Sequence, residues 1–153
     1  MKLVAVALLL TLAACTALPP AANAKDAPPI SVGQAVVGAA VSGQFETWAV
    51  ATIVNRGAAD ALVEVRSAAA HTVVLRATSL SDAGAKMRSV LSIPVPAHAT
   101  LVLSTSDYYL AFIEAQHDFA SGEHIAATLR FASGARVEVS FLVGEATDRR
   151  LGN

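Results

Sequence analysis

Short apolar runs separated by turn-forming residues fill the chain from Ile30 to Val143. The clearest alternation is in residues 136–141, where polar Arg, Glu and Ser alternate with apolar Val, Val and Phe. A period of two residues is typical of a strand with one buried face. The pattern predicts strands at Ile30–Val37, Phe45–Val54, Ala61–Ser67, Thr72–Thr78, Lys86–Leu91, Thr100–Ser104, Tyr108–Ile113, His124–Phe131 and Arg136–Val143.

Turn signals and the lack of helical periodicity complete this pattern. Glycine-containing turns at residues 55–57, 82–84, 121–122 and 133–134 separate the runs, and the last of them predicts a hairpin. Alanine favours helices, yet no segment after residue 29 keeps a helical apolar period over three turns. One short helical turn is expected within Glu114–Gly122. Residues 30–143 are therefore predicted to form a single all-β domain.

The N-terminal segment has the features of a secretory signal peptide. Lys2 gives a positive start, and residues 3–14 form an apolar run that is shorter than the roughly 20 residues needed to span a bilayer. Two cleavage positions fit this segment. A lipobox at residues 12–15 would make Cys15 the lipidated first residue, whereas a small-x-small site ending at Ala24 would leave a form that begins at Lys25.

The chain accordingly divides into four parts. Residues 1–14 are expected to be the signal peptide, 15–29 a tether rich in proline and alanine, 30–143 the β domain and 144–153 a polar tail. Lipidation of Cys15 would anchor the protein to a membrane, because two or more acyl chains hold a protein stably. We therefore expect the protein in the periplasm or cell envelope, anchored to a membrane by lipid.

Charge and motifs exclude two broad functions. The formal net charge of −1 argues against a nucleic-acid partner, which would require a basic surface. The sequence contains no Gly-x-Ser-x-Gly elbow, phosphate loop or dinucleotide fingerprint. We therefore predict that the protein is not an enzyme and has no catalytic residues.

Five short segments, taken in order along the chain, carry a family resemblance. They include an Asn-x-Gly turn before a strand, a Met-Arg pair, a proline-bounded turn and a Leu-x-Phe hairpin. The segments are Asn55–Ala69, Lys86–Val90, Ile93–His98, Asp107–Phe112 and Leu129–Gly134. Together they resemble the PCu(A)C family of periplasmic copper chaperones. The resemblance implies a cupredoxin-like Greek-key β-sandwich and a partner among respiratory oxidase assembly proteins.

The resemblance also implies where copper ligands should lie. In the family, a His lies eleven residues before a Met, and a His-x-Met motif begins twenty-two residues after that Met. With Met87 as the methionine, the other ligand slots fall on Arg76, Tyr109 and Ala111. Met87 is thus the only family ligand that this chain retains, so the copper site is expected to be degenerate.

The replacements are poor donors for copper. Cu(I) prefers thioether, thiolate and imidazole ligands. Ala111 offers no donor, Tyr109 offers a hard phenol that is protonated at neutral pH, and Arg76 is a permanent cation. We expect weak, non-standard or no copper binding, and a cation–π pair of Arg76 with Tyr109 that plugs the former site. Met87 is then either a surviving ligand or a methionine that fills a gap in the packing.

The histidines offer an alternative metal site. His117 and His124 flank the acidic loop 118–123, so two imidazoles and a carboxylate could together bind a divalent ion. Their spacing matches no compact ligand motif. His71 and His98 are expected to be polar surface residues rather than ligands.

Three functions remain open from the sequence. The first is a copper-chaperone-like protein with a degenerate site, with copper as the cofactor implied by resemblance although the residues favour none. The second is a working metallochaperone that uses Met87 with relocated histidines. The third is a metal-free interaction module of the cell envelope. Trp48, within an apolar strand, is expected to be the central core aromatic, with an exposed docking residue as the alternative reading.

Overall fold

The structure is a computed structural model, and it describes residues 29–144 of the chain. The predicted signal peptide, Cys15, the tether up to residue 28 and the tail after residue 144 lie outside the described residues. Within residues 29–144, no helix is long and apolar enough to cross a membrane.

Ten strands form the described part of the chain, and it contains no helix. The prediction of an all-β domain is therefore confirmed. The strands are β1 Ile30–Val37, β2 Glu46–Asn55, β3 Asp60–Arg66, β4 Ala70–Ser81, β5 Gly84–Ser89, β6 Ile93–Val95, β7 Ala99–Val102, β8 Tyr108–Ala115, β9 His124–Phe131 and β10 Arg136–Val143.

Two local predictions fail. The helical turn expected within Glu114–Gly122 is wrong, because Glu114 and Ala115 still belong to β8 and bends and turns follow them. The short strand β6 escaped prediction. It has only three residues, and Pro94 at its centre cannot donate a backbone hydrogen bond, which removes the usual strand signal.

The strands form one sheet that closes on itself. Hydrogen-bonded neighbours follow the order β5-β4-β8-β2-β1-β10-β9-β3-β6, and β7 also pairs with β2. A single further pairing, Val65 of β3 with Val73 of β4, closes the sheet. Only β1 and β10 pair in parallel. The finer assignment, a cupredoxin-like Greek-key β-sandwich, stays a prediction.

Aromatic residues fill the interior of the closed sheet. Phe112 is fully buried, and its ring centroid lies 5.8 Å from that of Phe141 and 6.1 Å from that of Phe119, both edge-to-face. Edge-to-face geometry is favourable for aromatic pairs. Phe131 completes the fully buried phenylalanines.

Trp48 is not part of this interior. Its neighbours on β2, Thr47 and Ala49, are buried, so the alternation of the strand directs Trp48 to the outer face. It is 36% exposed, and its indole lies against the backbone of Gly38, where a Cβ would come within 3.1 Å of the ring. The prediction of a central core aromatic is wrong. It relied on the large apolar side chain of tryptophan, whereas the alternation of the strand places that side chain on the outer face.

Candidate functional site

The four predicted ligand positions lie on three adjacent strands, on the outer face of the sheet. Cross-strand pairing places Arg76 of β4 opposite Tyr109 of β8, and paired residues project from the same face. Ala111 follows on that face two residues along β8. Met87 of β5 pairs with Thr78, which lies two residues beyond Arg76 on β4. Residues far apart in the sequence thus converge on one surface.

Tyr109 and Met87 are in direct contact. The hydroxyl of Tyr109 donates a hydrogen bond to the thioether sulfur of Met87 over 2.9 Å. Tyr109 is only 3% exposed, whereas Met87 is 65% exposed on a strand that is exposed throughout. Met87, the predicted copper ligand, therefore lies at the surface, and its sulfur accepts a hydrogen bond from Tyr109, which occupies the predicted position of a His.

Arg76 is held by a carboxylate that the sequence reading did not identify. Its Nη2 donates to Oε2 of Glu46 over 2.7 Å, and its Nη1 donates to Oγ of Ser89 over 3.1 Å. The Nε of Arg76 is buried and has no hydrogen-bond partner among residues 29–144. The guanidinium is thus directed to Glu46, and the stacked cation–π pair expected with Tyr109 is replaced by an ion pair.

The ion pair is partly shielded from solvent. The side chain of Arg76 is 21% exposed and that of Glu46 is 28% exposed. Partial burial strengthens the attraction between the charges, but it also removes water from both groups. Loss of either partner would therefore leave a poorly solvated charge, which would destabilise the protein.

The electrostatic environment keeps Tyr109 in its phenol form. Burial raises the pKa of Tyr109, and the negative charge of Glu46 raises it further, while the positive charge of Arg76 acts in the opposite direction. A pKa above its ordinary value means that the hydroxyl carries its proton at neutral pH. Tyr109 is accordingly a hydrogen-bond donor here, and it offers no phenolate to a metal.

Ala111 occupies the last of the four predicted ligand positions with an apolar side chain. It is fully buried and lies between Val74 of β4 and Trp48 of β2 in the register of the sheet. The methyl group has no atom that could coordinate a metal. The candidate site as a whole contains one thioether, one phenol and one ion pair, and the thioether is its only soft donor.

The histidines named from the sequence lie elsewhere. Tyr109 and Ala115 are six residues apart on β8, a separation of about 20 Å, and His117 lies beyond Ala115. His117 Nδ1 lies 2.8 Å from the backbone oxygen of Asp118, and His124 Nδ1 lies 3.0 Å from Oγ of Ser140.

These contacts do not form a metal centre. The Nδ1 of His117 is 4.0 Å from a carboxylate oxygen of Glu123, but no group of three or more His, Cys, Asp or Glu side chains in the described part of the chain could hold a metal ion. His71 near the start of β4 and His98 in the turn before β7 are both exposed.

Glu46 is the residue that sequence reasoning missed. It lies 30 residues before Arg76, so no local spacing links the two. The signals in the sequence were indirect. Glu46 lies at the start of an otherwise largely apolar strand, and Arg76 lies between the apolar residues Leu75 and Ala77. Only the order β4-β8-β2 brings the two strands to either side of Tyr109.

Residues 30–143 match the family described as putative lipoprotein LpqE-like. No curated protein shows a significant match to the chain. Several solved structures share the fold of this chain. They are described as PCuAC domains or as forms of DR1885 from Deinococcus radiodurans.

Three of these solved structures illustrate the similarity. The apo PCuAC domain from PmoF1 has a TM-score of 0.66 at 20% identity, covering 78% of this chain and 97% of that one. The copper-bound PCuAC domain from PmoF2 has a TM-score of 0.65 at 17% identity, covering 77% and 94%. The solution structure of CuI-DR1885 has a TM-score of 0.63 at 27% identity, covering 84% and 87%. The resemblance to PCu(A)C proteins inferred from the sequence is confirmed.

Proposed function

The chain belongs to the LpqE-like family of putative lipoproteins. We propose that it is a copper-chaperone-like protein of the cell envelope with a closed copper site, that is, a site whose predicted ligand positions are occupied by protein contacts rather than open to a metal ion. In this proposal it binds copper weakly, through a non-standard residue set, or not at all. The observation that carries the proposal is the replacement of the ligand set by an Arg76–Glu46 ion pair and a Tyr109–Met87 hydrogen bond.

The donor chemistry supports a closed site. A single thioether is a weak anchor for Cu(I), which in proteins is held by several soft donors together. The sulfur of Met87 already accepts a hydrogen bond from Tyr109, so metal binding would first have to break that contact. The carboxylate of Glu46 is a hard donor, and its charge is matched to Arg76 rather than to an incoming ion.

The charge of Arg76 adds a separate penalty. A unit positive charge about 4 Å from a monovalent metal ion costs roughly 4 kcal/mol at an effective dielectric constant near 20. That energy corresponds to about a thousandfold in affinity. Glu46 offsets part of this repulsion because it neutralises Arg76, so the figure is an upper value. Missing ligands and opposing charge act in the same direction.

Export and anchoring form the second part of the proposal. The family description as a putative lipoprotein agrees with the lipobox that ends at Cys15, which supports a lipid-anchored form in the periplasm or cell envelope. A role in carrying or binding, without a catalytic step, fits the relatives described as PCuAC domains. By resemblance, a respiratory oxidase assembly protein is the proposed class of partner. Mass spectrometry of the N-terminus of native protein tests the anchor: an acylated Cys15 supports it, and a chain starting at Lys25 contradicts it.

A working chaperone with relocated ligands is the principal alternative. It requires Met87 to share a metal with His117 or His124, yet His117 follows the end of β8 opposite to Tyr109, and His124 lies on β9, which does not pair with β4, β5 or β8. Substitution His117→Ala or His124→Ala should therefore leave any residual copper affinity unchanged. A loss of binding in either variant would support the alternative.

A metal-free interaction role has one observation in its favour. Trp48 and Met87 are both exposed on the outer face that carries the candidate site. Exposed aromatic residues often anchor protein contacts. Trp48→Ala should then abolish capture of an envelope partner in a protein that thermal unfolding shows to be folded, whereas unchanged capture would remove this candidate.

Restoration of the family ligands is the sharpest test of the closed site. The variant Arg76→His/Tyr109→His/Ala111→Met regains two imidazoles and a second thioether around Met87, and it removes the positive charge. Titration with Cu(I) against a competing chelator should show affinity at least about a thousandfold higher than that of the parent. Thermal unfolding of both proteins would verify that the variant is folded.

The matched control adds Met87→Leu to the restored variant. This change keeps the volume of the side chain and removes the thioether, so the gain in affinity should disappear. Sub-nanomolar Cu(I) binding by the parent chain that is lost on Met87→Leu alone would overturn the proposal of a closed site.

A further inference from the structure

Three arginines from three strands surround one open cavity outside the candidate copper site. Arg66 of β3, Arg130 of β9 and Arg136 of β10 line it together with Glu64 and Thr128, and its volume is about 460 Å³. The sheet register pairs Arg130 with both Glu64 and Arg136, which explains why these side chains share one face. The cavity is therefore built by strand pairing rather than by a single loop.

Glu64 fixes two of the guanidinium groups. Its Oε1 accepts from Nε of Arg66, and its Oε2 accepts from Nε of Arg130, each over 2.7 Å. These hydrogen bonds lower the pKa of Glu64, the contact with Arg130 most strongly, so the carboxylate is ionised at neutral pH. Both arginines use only their Nε atoms, so in the described part of the chain their Nη groups have no protein acceptor.

Arg136 adds a third group of donors. No hydrogen bond or ion pair to another residue within 29–144 engages its side chain, which is exposed at the start of β10. Glu138 lies two residues along the same face and pairs with Thr128. Three positive groups thus face two carboxylates, Glu64 and Glu138, and the cluster keeps an excess positive charge with unused N–H donors.

This arrangement suits an anion with several acceptor oxygens. A guanidinium binds phosphate or carboxylate oxygens in a bidentate manner. A carboxylate offers two oxygens, whereas a phosphate group offers enough acceptor positions for three guanidinium groups at once. Cavities of roughly 300–1,000 Å³ hold small ligands, so a phosphate group with a short substituent fits here.

We propose that the cavity formed by Arg66, Arg130 and Arg136 is a binding site for a phosphate group. The same chemistry is present in a free phosphate ester and in the headgroup of an anionic phospholipid. The site is distinct from the candidate copper site, because its arginines lie on β3, β9 and β10, and none of these strands carries a residue of that site. It does not depend on whether the protein binds copper.

Two assays separate the two sources of phosphate. Calorimetry measures the binding of inorganic phosphate to the purified full chain at low ionic strength, since salt screens exposed charges. Sedimentation with vesicles of phosphatidylglycerol, compared with vesicles of phosphatidylcholine, measures the recognition of a phospholipid headgroup. Arg136→Gln is the test variant, because this exposed side chain forms no ion pair with any residue from 29 to 144, so its loss should not disturb the β domain.

Arg88→Gln is the matched control. Arg88 is also an exposed strand arginine, but it lies on β5, away from the cavity. Both variants lower the net charge of the protein by one unit. Loss of one charged hydrogen-bonding group should weaken phosphate binding about ten- to a hundredfold in Arg136→Gln. The Arg88→Gln protein should bind like the parent.

The outcomes are distinguishable. Saturable binding of inorganic phosphate that requires Arg136 supports the site with a soluble phosphate ligand, and Arg136-dependent binding to phosphatidylglycerol vesicles supports a headgroup ligand. The proposal is overturned if neither probe binds, or if Arg88→Gln and Arg136→Gln weaken binding equally, since the effect would then be one of overall charge.

Discussion

The two faces of β8 are both buried, but they are covered by different kinds of groups. On the inner face, Leu110 and Phe112 are fully buried in the apolar core. On the outer face, Tyr109 and Ala111 are almost as buried, yet Tyr109 contacts the sulfur of Met87 and neighbours a charged pair. The inner face maintains the fold, while the outer face holds the positions predicted from the sequence as metal-ligand positions.

This difference explains how a scaffold can keep its shape while its site changes. Side chains of a strand alternate between faces, so substitution of Tyr109 or Ala111 leaves the packing of Phe112 untouched. The outer face has nevertheless been filled by polar contacts rather than left open. The candidate site thus forms a small structural network of one ion pair and one hydrogen bond to sulfur.

The largest effect is expected on the inner face. Phe112→Ala removes a ring that packs edge-to-face against Phe119 and Phe141, and it leaves a cavity in the core. We expect a loss of about 3–5 kcal/mol in the free energy of unfolding, measured by denaturant titration. Phe112→Leu, the control, should lose much less. A loss below about 1 kcal/mol in Phe112→Ala would show that β8 does not anchor the fold.

The second effect concerns the ion pair on the outer face. Glu46→Gln removes the charge partner of Arg76, whose remaining hydrogen bond is to the exposed Ser89. Because both side chains are only partly exposed, we expect a loss of about 1–3 kcal/mol in the free energy of unfolding.

A double-mutant cycle with Arg76→Met isolates the pair. The variant Arg76→Met/Glu46→Gln lacks both charges of this pair, so it should be more stable than Glu46→Gln alone, which leaves Arg76 without its partner. Additive losses would mean that Arg76 and Glu46 stabilise the protein independently, and their ion pair would then contribute no coupling energy.

Much of the fold was predictable because it follows from local alternation. The bounds of Ile30–Val37, His124–Phe131 and Arg136–Val143 agree with the predicted ones, since a glycine or proline lies within three residues of each end of these strands in the sequence. The closure of the sheet was not predictable. It depends on one pairing, Val65 with Val73, between strands whose sequences carry no sign of that register.

The proximity of two candidate residues was predictable, but their contacts were not. Spacing from Met87 selected Arg76 and Tyr109, and the register of β4 and β8 places those two residues directly opposite each other. The partner of Arg76 was not found, because Glu46 comes from a third strand. Cross-strand partners depend on strand order, which the sequence of one chain does not reveal.

A smaller effect is expected from the loss of one hydroxyl on the outer face. Tyr109→Phe keeps the buried ring and removes the hydrogen bond to Met87. We expect a loss of about 0.5–1.5 kcal/mol in the free energy of unfolding. The freed sulfur should also be oxidised faster by peroxide, because its lone pair is no longer engaged. Tyr108→Phe, a neighbouring change outside this contact, is the control, and equal oxidation rates in all three proteins would exclude a protective role for Tyr109.

The smallest effect lies away from β8 and serves as a reference for both faces. Asp60 at the start of β3 accepts hydrogen bonds from the backbone N–H and hydroxyl of Ser133 and from the N–H of Ala61, which ties it to the turn between β9 and β10. Burial opposes the ionisation of Asp60, but the hydrogen bonds, led by that from the hydroxyl of Ser133, outweigh it and lower its pKa below the ordinary value of 3.8.

The sign of the pH dependence follows from that shift. The unfolded chain binds the proton more tightly than the folded protein, so stability from ionised Asp60 is complete above its ordinary pKa and is lost as the pH falls through the lower folded value. The difference in stability between the parent and Asp60→Asn should therefore be largest near neutral pH and should shrink below about pH 4. Denaturant titrations of both proteins between about pH 7 and about pH 3 measure this difference. If it stayed constant with pH, the ionised form of Asp60 would not be the one that the turn selects, and acid sensitivity would have to arise elsewhere in the sheet.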